Sequence, residues 1–182
     1  MSKVKAPHRD SSLRFHLSSP NRGREQLGVR AMDIKVILHP TDGSPDAKRA
    51  LDLACDLARD HAARLLILHA QRQHGLEAMP EELKGYERLE HVRVTEADLL
   101  HEAARTIVET AAREARDRGL ADVDTLVVEG DPSRAILDTA KQKKADLIVM
   151  GSRGLGDLKG LLLGSVSHKV AQSAPCSCLT VR

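Results

Sequence analysis

The sequence predicts an α/β protein: a doubly wound, five-stranded parallel sheet with helices on both faces. Three observations carry that expectation. Short aliphatic and β-branched runs alternate along the chain with longer stretches whose apolar residues recur at helical spacing, the pattern of repeated βαβ units. The core must be aliphatic, because Phe15 and Tyr86 are the only aromatics in 182 residues and tryptophan is absent. Leu, Ile, Val and Ala suit helices laid on a parallel sheet. Glycines and hydroxyls also gather directly behind one apolar run, where a strand hands over to a helix. A chain of this length makes one well-buried domain more comfortably than two.

Ile34 to Pro40 reads as the first strand, a buried run closed by Pro40 and a Thr41-Asp42-Gly43-Ser44 turn. Ser44 then caps a helix with Pro45 at its first position and an apolar stripe of Ala47, Ala50, Leu51, Ala54, Leu57 and Ala58. Leu65 to Ala70 is the second strand. Gln71 to Val94 contains Pro80, Gly85 and many charges, and reads as a variable loop with at most a short helix. Thr95-Glu96-Ala97-Asp98 opens a long helix, in which Leu99, Ala103, Ile107, Ala111 and Ala115 recur until Gly119 stops it. Asp124 to Glu129 is the third strand. Gly130-Asp131-Pro132 supplies a turn and a helix start; Ala135, Ile136 and Ala140 form the apolar face, and Lys141, Lys143 and Lys144 suit the dipole at its end. Ala145 to Met150 is the fourth strand, Val166 to about Ser173 the last helix, and Cys176 to Val181 the fifth strand.

Charge is uneven. Residues 1–31 carry seven Lys or Arg against Asp10 and Glu25, so this stretch is +5 and the remainder, by difference from the total of +2, is −3. Its Ser, Arg, Pro and Gly content without apolar periodicity predicts disorder for 1–31, ahead of a domain spanning 32–182. Met32, two residues before the first strand, is the competing start, which would make 1–31 an upstream extension or a misassigned beginning. The mildly acidic body has neither a basic face nor stacking aromatics, which argues against nucleic acid as a partner. Without an apolar run of membrane-spanning length or a signal-peptide core near the start, a cytoplasmic location and no membrane partner are expected. Cys55, Cys176 and Cys178 are too few for a secreted disulfide framework. The last two face the same side of a strand and read as small packed residues, with a redox pair or soft-metal site as the alternative.

The chemistry concentrates in Gly151-Ser152-Arg153-Gly154, nine residues, then Gly164-Ser165-Val166-Ser167, which follow the apolar run ending at Met150. Backbone N–H groups and the dipole of a helix start favour an anion there, and glycine permits close approach. Two familiar phosphate loops are excluded. Gly151 and Gly156 have the Walker gap, but Asp157-Leu158 follow instead of Lys and Ser or Thr. Gly154-Leu155-Gly156 starts a dinucleotide fingerprint, yet the next glycine is Gly160 and the acidic residue expected about twenty positions on is missing.

The glycine spacing, the opening Ile37-Leu38-His39-Pro40-Thr41-Asp42-Gly43-Ser44 and the ending Ala174-Pro175-Cys176-Ser177-Cys178-Leu179-Thr180-Val181 together resemble the universal stress protein family, over about residues 33–182. The resemblance implies a Rossmann-like, adenine nucleotide alpha-hydrolase-like sheet in the order 3-2-1-4-5. It implies ATP as ligand, since this glycine spacing marks the family members that bind it, and a homodimer through the last strand. The switch point of such a sheet lies between strands one and four, so the Pro40-Thr41-Asp42-Gly43 turn and the glycine loop should converge on one crevice.

Gly151, Gly154 and Gly164 would let that loop wrap phosphate, and Ser165 and Ser167 would offer hydroxyls and N–H groups from the helix start, with Ser152 and Val166 counted in the same site; Ser165 and Ser167 could equally be ordinary N-caps. Arg153 either pairs with phosphate or is merely solvated. By resemblance Pro40, Asp42 and Ala70 flank the adenosine, with Thr41 and Met150 counted in the same site; alanine replaces the larger aliphatic residue common in the family at the Ala70 position. Asp42 either bonds ribose, or holds a divalent metal such as Mg2+ beside the phosphates, or closes an Asx-turn. Asp157 is a second candidate carboxylate. His39, His69 and His168 have no nucleophile paired to them, so packing and hydrogen bonding are their expected roles. The function this supports is a stress-response protein with ATP as a regulatory ligand and at most slow hydrolysis, because little in the loop would orient a water. The alternative is a nucleotide-free dimeric module acting through protein partners.

Overall fold

The computed structural model describes residues 33–71, 87–155 and 163–182, and only the backbone of 87–97. The expectations for residues 1–31 and Met32, for most of the variable stretch after Gln71, and for Asp157 lie outside the described residues. The elements are β1 (Val36–Pro40), α1 (Pro45–His61), β2 (Arg64–Gln71), α2 (Glu87–Asp117), β3 (Val123–Glu129), α3 (Pro132–Gln142), β4 (Leu147–Gly151), α4 (Ser165–Ser173) and β5 (Ser177–Val181).

The five strands form a parallel sheet in the order β3-β2-β1-β4-β5, as the resemblance implied. Right-handed crossovers then determine which face each helix covers. The chain moves outward from β1 to β2 to β3 through α1 and α2, which pack on one face around Ile37, Leu65, Ile67, Leu147 and Val149. It then returns past β1 and runs outward to β4 and β5, so α3 and α4 cover the opposite face around Leu38, Leu66, Leu68, Ile148 and Met150. Among the described residues both cores are built from aliphatic side chains, Ala, Met and Cys, with Ile37, Leu38, Leu65, Ile67, Leu68, Ile148 and Val149 fully buried.

Local chemistry sets the helix starts. Ser44 Oγ accepts from the Ala47 N–H at 3.2 Å, and Pro45, which has no N–H to leave unsatisfied, follows it. Asp131 and Pro132 repeat the device at α3, where the Asp131 carboxylate accepts from the Arg134 N–H at 3.0 Å. The longest departure from expectation is α2, which begins at Glu87 rather than Thr95. Beyond Gly85 the sequence holds neither glycine nor proline until Gly119, and Glu87, Arg88, Glu90 and Arg93 are good helix formers. Their charge suggested a loop, but it is compatible with a helix surface.

Smaller shifts follow from strand pairing. β1 starts at Val36, although Ile34 is still buried beside it; β2 gains Arg64 and Gln71, β3 gains Val123, and β5 begins at Ser177, one residue after Cys176. β4 begins at Leu147 and extends to Gly151, which pairs with Val181. α3 ends at Gln142, so of the three lysines only Lys141 lies in its last turn. Cys176 and Cys178 are half-buried against the α3/α4 core, as their shared face predicted, and all three cysteines are free. Burial pushes the Cys178 thiol up to about 11 and also raises Cys176. Neither is poised as a thiolate.

Candidate functional site

The crevice forms where β1 and β4 part. They pair through Ile37 with Leu147 and Leu38 with Ile148. Pro40 has no N–H with which to continue the ladder. The tie passes to a side chain instead: His39 Nδ1 donates to the Val149 carbonyl at 2.8 Å. A carbonyl only accepts, so the proton sits on Nδ1, and Nε2 is buried without a partner among the described residues. His39 is fully buried, and desolvation pushes its pKa down to about 4 against the smaller opposing effects of the Val149 bond and Asp42. Thr41 turns the other way: its N–H donates to the Leu68 carbonyl at 2.8 Å, and its carbonyl accepts from His69 Nδ1, also at 2.8 Å. Both strand-end histidines therefore brace the mouth of the sheet, and His168 is exposed on α4.

Two segments more than a hundred residues apart clasp each other across this mouth. Asp42 Oδ1 accepts from the Ser44 N–H at 3.0 Å, the Asx-turn alternative, while Oδ2 accepts from the Leu155 N–H at 2.9 Å. Ser44 Oγ reaches the Arg153 carbonyl at 3.4 Å. Asp46, in the first turn of α1, accepts from Ser152 Oγ at 2.9 Å and pairs with Arg49 and with Arg153 Nε at 3.6 Å. The glycines belong to this clasp. A Cβ at Gly151 would lie 2.8 Å from the Ala47 nitrogen and 2.9 Å from the Asp46 carbonyl carbon, and one at Gly154 would lie 2.5 Å from Asp42 Oδ2. Contact with the backbone of the first turn of α1 is thus sufficient reason for glycine at Gly151, while a Cβ at Gly154 would displace the Asp42 carboxylate.

The second half of the loop enters α4. Gly164 is the N-cap and brings no side-chain cap, so the serines do not play the capping role considered from sequence. Ser165 is the first helical residue, which moves the start one residue ahead of Val166. Ser167 Oγ shares its proton with the Ser152 carbonyl (2.7 Å) and the Gly164 carbonyl (3.0 Å), and the Gly164 N–H donates to the same Ser152 carbonyl at 2.8 Å. The first N–H groups of a helix have no partners within it. Here they stand uncapped at a dipole's positive end, beside Arg153.

These parts line one cleft of about 850 Å³. Pro40, Thr41, Asp42 and Ala70 lie on its walls with Met150, Gly151, Arg153 and Gly154, and with Gly164, Ser165, Val166 and Ser167. Of the described residues expected from sequence to bind the nucleotide, only Ser152 is absent from that lining; it is buried beneath, and its N–H donates to the Val181 carbonyl at 2.6 Å. The cleft also has an apolar wall that the sequence reading missed, with Leu100, Ala103, Ala104 and Ile107 of α2 and Ile136 of α3. The α2 residues fall at i, i+3, i+4 and i+7; only Ala103 and Ile107 of these belong to the recurrence read from the sequence, which opened instead on Leu99, a residue 66% exposed in the structure. Asp46 was also missed; its signal was an acidic residue beside the apolar stripe, directly behind the proline that starts α1. Among the described residues no group of three or more His, Cys, Asp or Glu could hold a metal ion, and no helix is long and apolar enough to cross a membrane.

Comparison with known proteins agrees with this architecture. The universal stress protein family model matches residues 33–182. A universal stress protein of Thermus aquaticus is 40% identical over 150 residues, covering 81% of this chain and 98% of that protein. The solved structure of a universal stress protein from Lactobacillus plantarum has a TM-score of 0.66 at 27% identity and covers 84% of this chain and 100% of its own. Another, a universal stress protein in complex with cAMP, has a TM-score of 0.57 at 29% identity and covers 82% of this chain and 98% of its own. With the family model spanning the whole sheet and a relative of this identity over the same residues, the chain belongs to the universal stress protein family.

Proposed function

We propose that the crevice between β1 and β4 binds an adenine nucleotide, ATP in the first instance, as a regulatory ligand of a stress response. The observation that carries this reading is the uncapped N-terminus of α4 opening, with Arg153, into a cleft at the sheet's switch point. A helix N-terminus without a side-chain cap, a dipole's positive end and a guanidinium are the chemistry that takes phosphate. Pro40, Asp42, Ala70 and Met150 line the same cleft and supply a largely apolar surface of the kind a nucleoside fills. The solved family member in complex with cAMP supports the choice of adenine.

The residues fit ATP better than they fit a dedicated metal cage. Asp42 would be the protein's carboxylate toward Mg2+, with phosphate oxygens and water supplying the remaining ligands, a common arrangement for that ion. Both Asp42 oxygens already accept backbone N–H groups, so this carboxylate is anchored as a structural brace and is poorly placed to act as a base. The nucleotide is therefore held rather than turned over, with hydrolysis slow at most. A cytoplasmic setting and a homodimer through β5, the edge strand that exposes Leu179, complete the proposal.

Titration calorimetry of the full chain with ATP, with and without magnesium, tests it. One saturable site per chain is expected. No detectable binding of ATP, AMP or cAMP would leave the cleft a structural feature and turn attention to protein partners.

A further inference from the structure

Asp46 is a buried carboxylate beside a site proposed to take an anion, an arrangement that costs affinity unless the carboxylate does something else. It is 7% exposed. Burial alone would raise its pKa, but the Ser152 hydroxyl, Arg49 and Arg153 outweigh that and hold it below the usual carboxylate range, so it is ionised at neutral pH. Besides Arg49 on its own helix, its contacts fall on the two residues between Gly151 and Gly154: the Ser152 hydroxyl at 2.9 Å, the Arg153 guanidinium at 3.6 Å and the Arg153 backbone. Ser152 in turn holds Gly164 and Ser167 at the start of α4 through its carbonyl. A single side chain in the first turn of α1 thus fixes Arg153 directly and the anion-facing end of α4 through one intermediate.

We infer that Asp46 is a positioning residue of the phosphate site, holding Arg153 and, through Ser152, the α4 N-terminus in the arrangement that receives phosphate. This rests on the nucleotide reading above and deepens it. The inference differs in sign from a purely electrostatic account. Asp46, Arg49 and Arg153 carry one negative and two positive charges, so removing the carboxylate makes the site more cationic, and charge alone predicts tighter ATP binding.

The test is the affinity of the full chain for ATP and for adenosine, the latter by competition, in the unmodified protein, Asp46→Asn and Ser152→Ala. Ser152→Ala keeps the carboxylate and its pair with Arg153 and removes its hydrogen bond to the Ser152 hydroxyl, the link to the α4 end of the loop. Both variants are expected to lose about tenfold in ATP affinity, the scale of one charge-assisted contact. Adenosine, which has no phosphate, should change by less than about twofold. Tighter or unchanged ATP binding in Asp46→Asn overturns the inference, as does an equal loss for ATP and adenosine, which would mark general damage to the cleft. If Asp46→Asn fails to fold, Ser152→Ala decides: unchanged ATP affinity there overturns the inference. Failure of the unmodified chain to bind ATP would instead overturn the nucleotide reading, and this inference with it.

Discussion

At the scale of single residues, His39 has the most predictable consequence. Its imidazole replaces a backbone hydrogen bond where β1 and β4 separate, and it does so neutral, with a pKa of about 4 in the fold against an ordinary 6.5. The folded state therefore binds fewer protons than the unfolded state between those values. Its stabilising contribution is complete above about pH 6.5 and is lost progressively as pH falls toward 4, on the order of 3 kcal/mol in all. Urea unfolding at pH 7.5 and 4.5 should show His39→Leu less stable at the higher pH but with a shallower acid fall than the unmodified chain; an equal fall would show that His39 does not titrate as its burial requires. The sequence made the histidine legible as a packed strand residue without a nucleophile. It did not show the Val149 contact, which depends on two strands more than a hundred positions apart. Asp46 was illegible for the same reason: in the sequence it is an ordinary first-turn acid, and its role comes from a loop the chain reaches 106 residues later.

At the scale of elements, α4 separates stability from binding. Aspartate is a better N-cap than glycine, so Gly164→Asp should leave the fold intact and stabilise it by roughly a few tenths of a kcal/mol. The same carboxylate would occupy the N–H groups proposed for phosphate and repel it, costing at least about thirtyfold in ATP affinity, or roughly 2 kcal/mol. Thermal melting and titration on one preparation check both, and unchanged ATP affinity would refute the placement of phosphate at α4. The starts of α1 and α3 were readable because Ser44-Pro45 and Asp131-Pro132 carry their signals locally. The start of α2 was not, because the charged residues after Gly85 read as a loop although no glycine or proline interrupts them before Gly119. The last strand and α4 were displaced by one residue each, the cost of reading caps without the carbonyls they serve.

At the scale of the molecule, alternation of strand and helix made the fold class legible, while the strand order came from resemblance, since periodicity alone does not say that β1 lies between β2 and β4. That order brings the Pro40–Ser44 turn to the glycine loop and so makes a site of two motifs that are each weak alone. It also leaves β5 at an edge with Leu179 42% exposed. Sedimentation equilibrium should find a dimer that Leu179→Lys weakens, because an edge lysine opposes strand pairing; a monomeric unmodified chain would remove β5 as the interface. The central claim, that phosphate meets the loop and the α4 N-terminus, is tested most directly by following backbone amide resonances while ATP is added. The account predicts saturable, one-to-one shifts largest at Gly151, Arg153 and Gly154 and at Ser165, Val166 and Ser167. Shifts confined to other residues, or none at all, would contradict it.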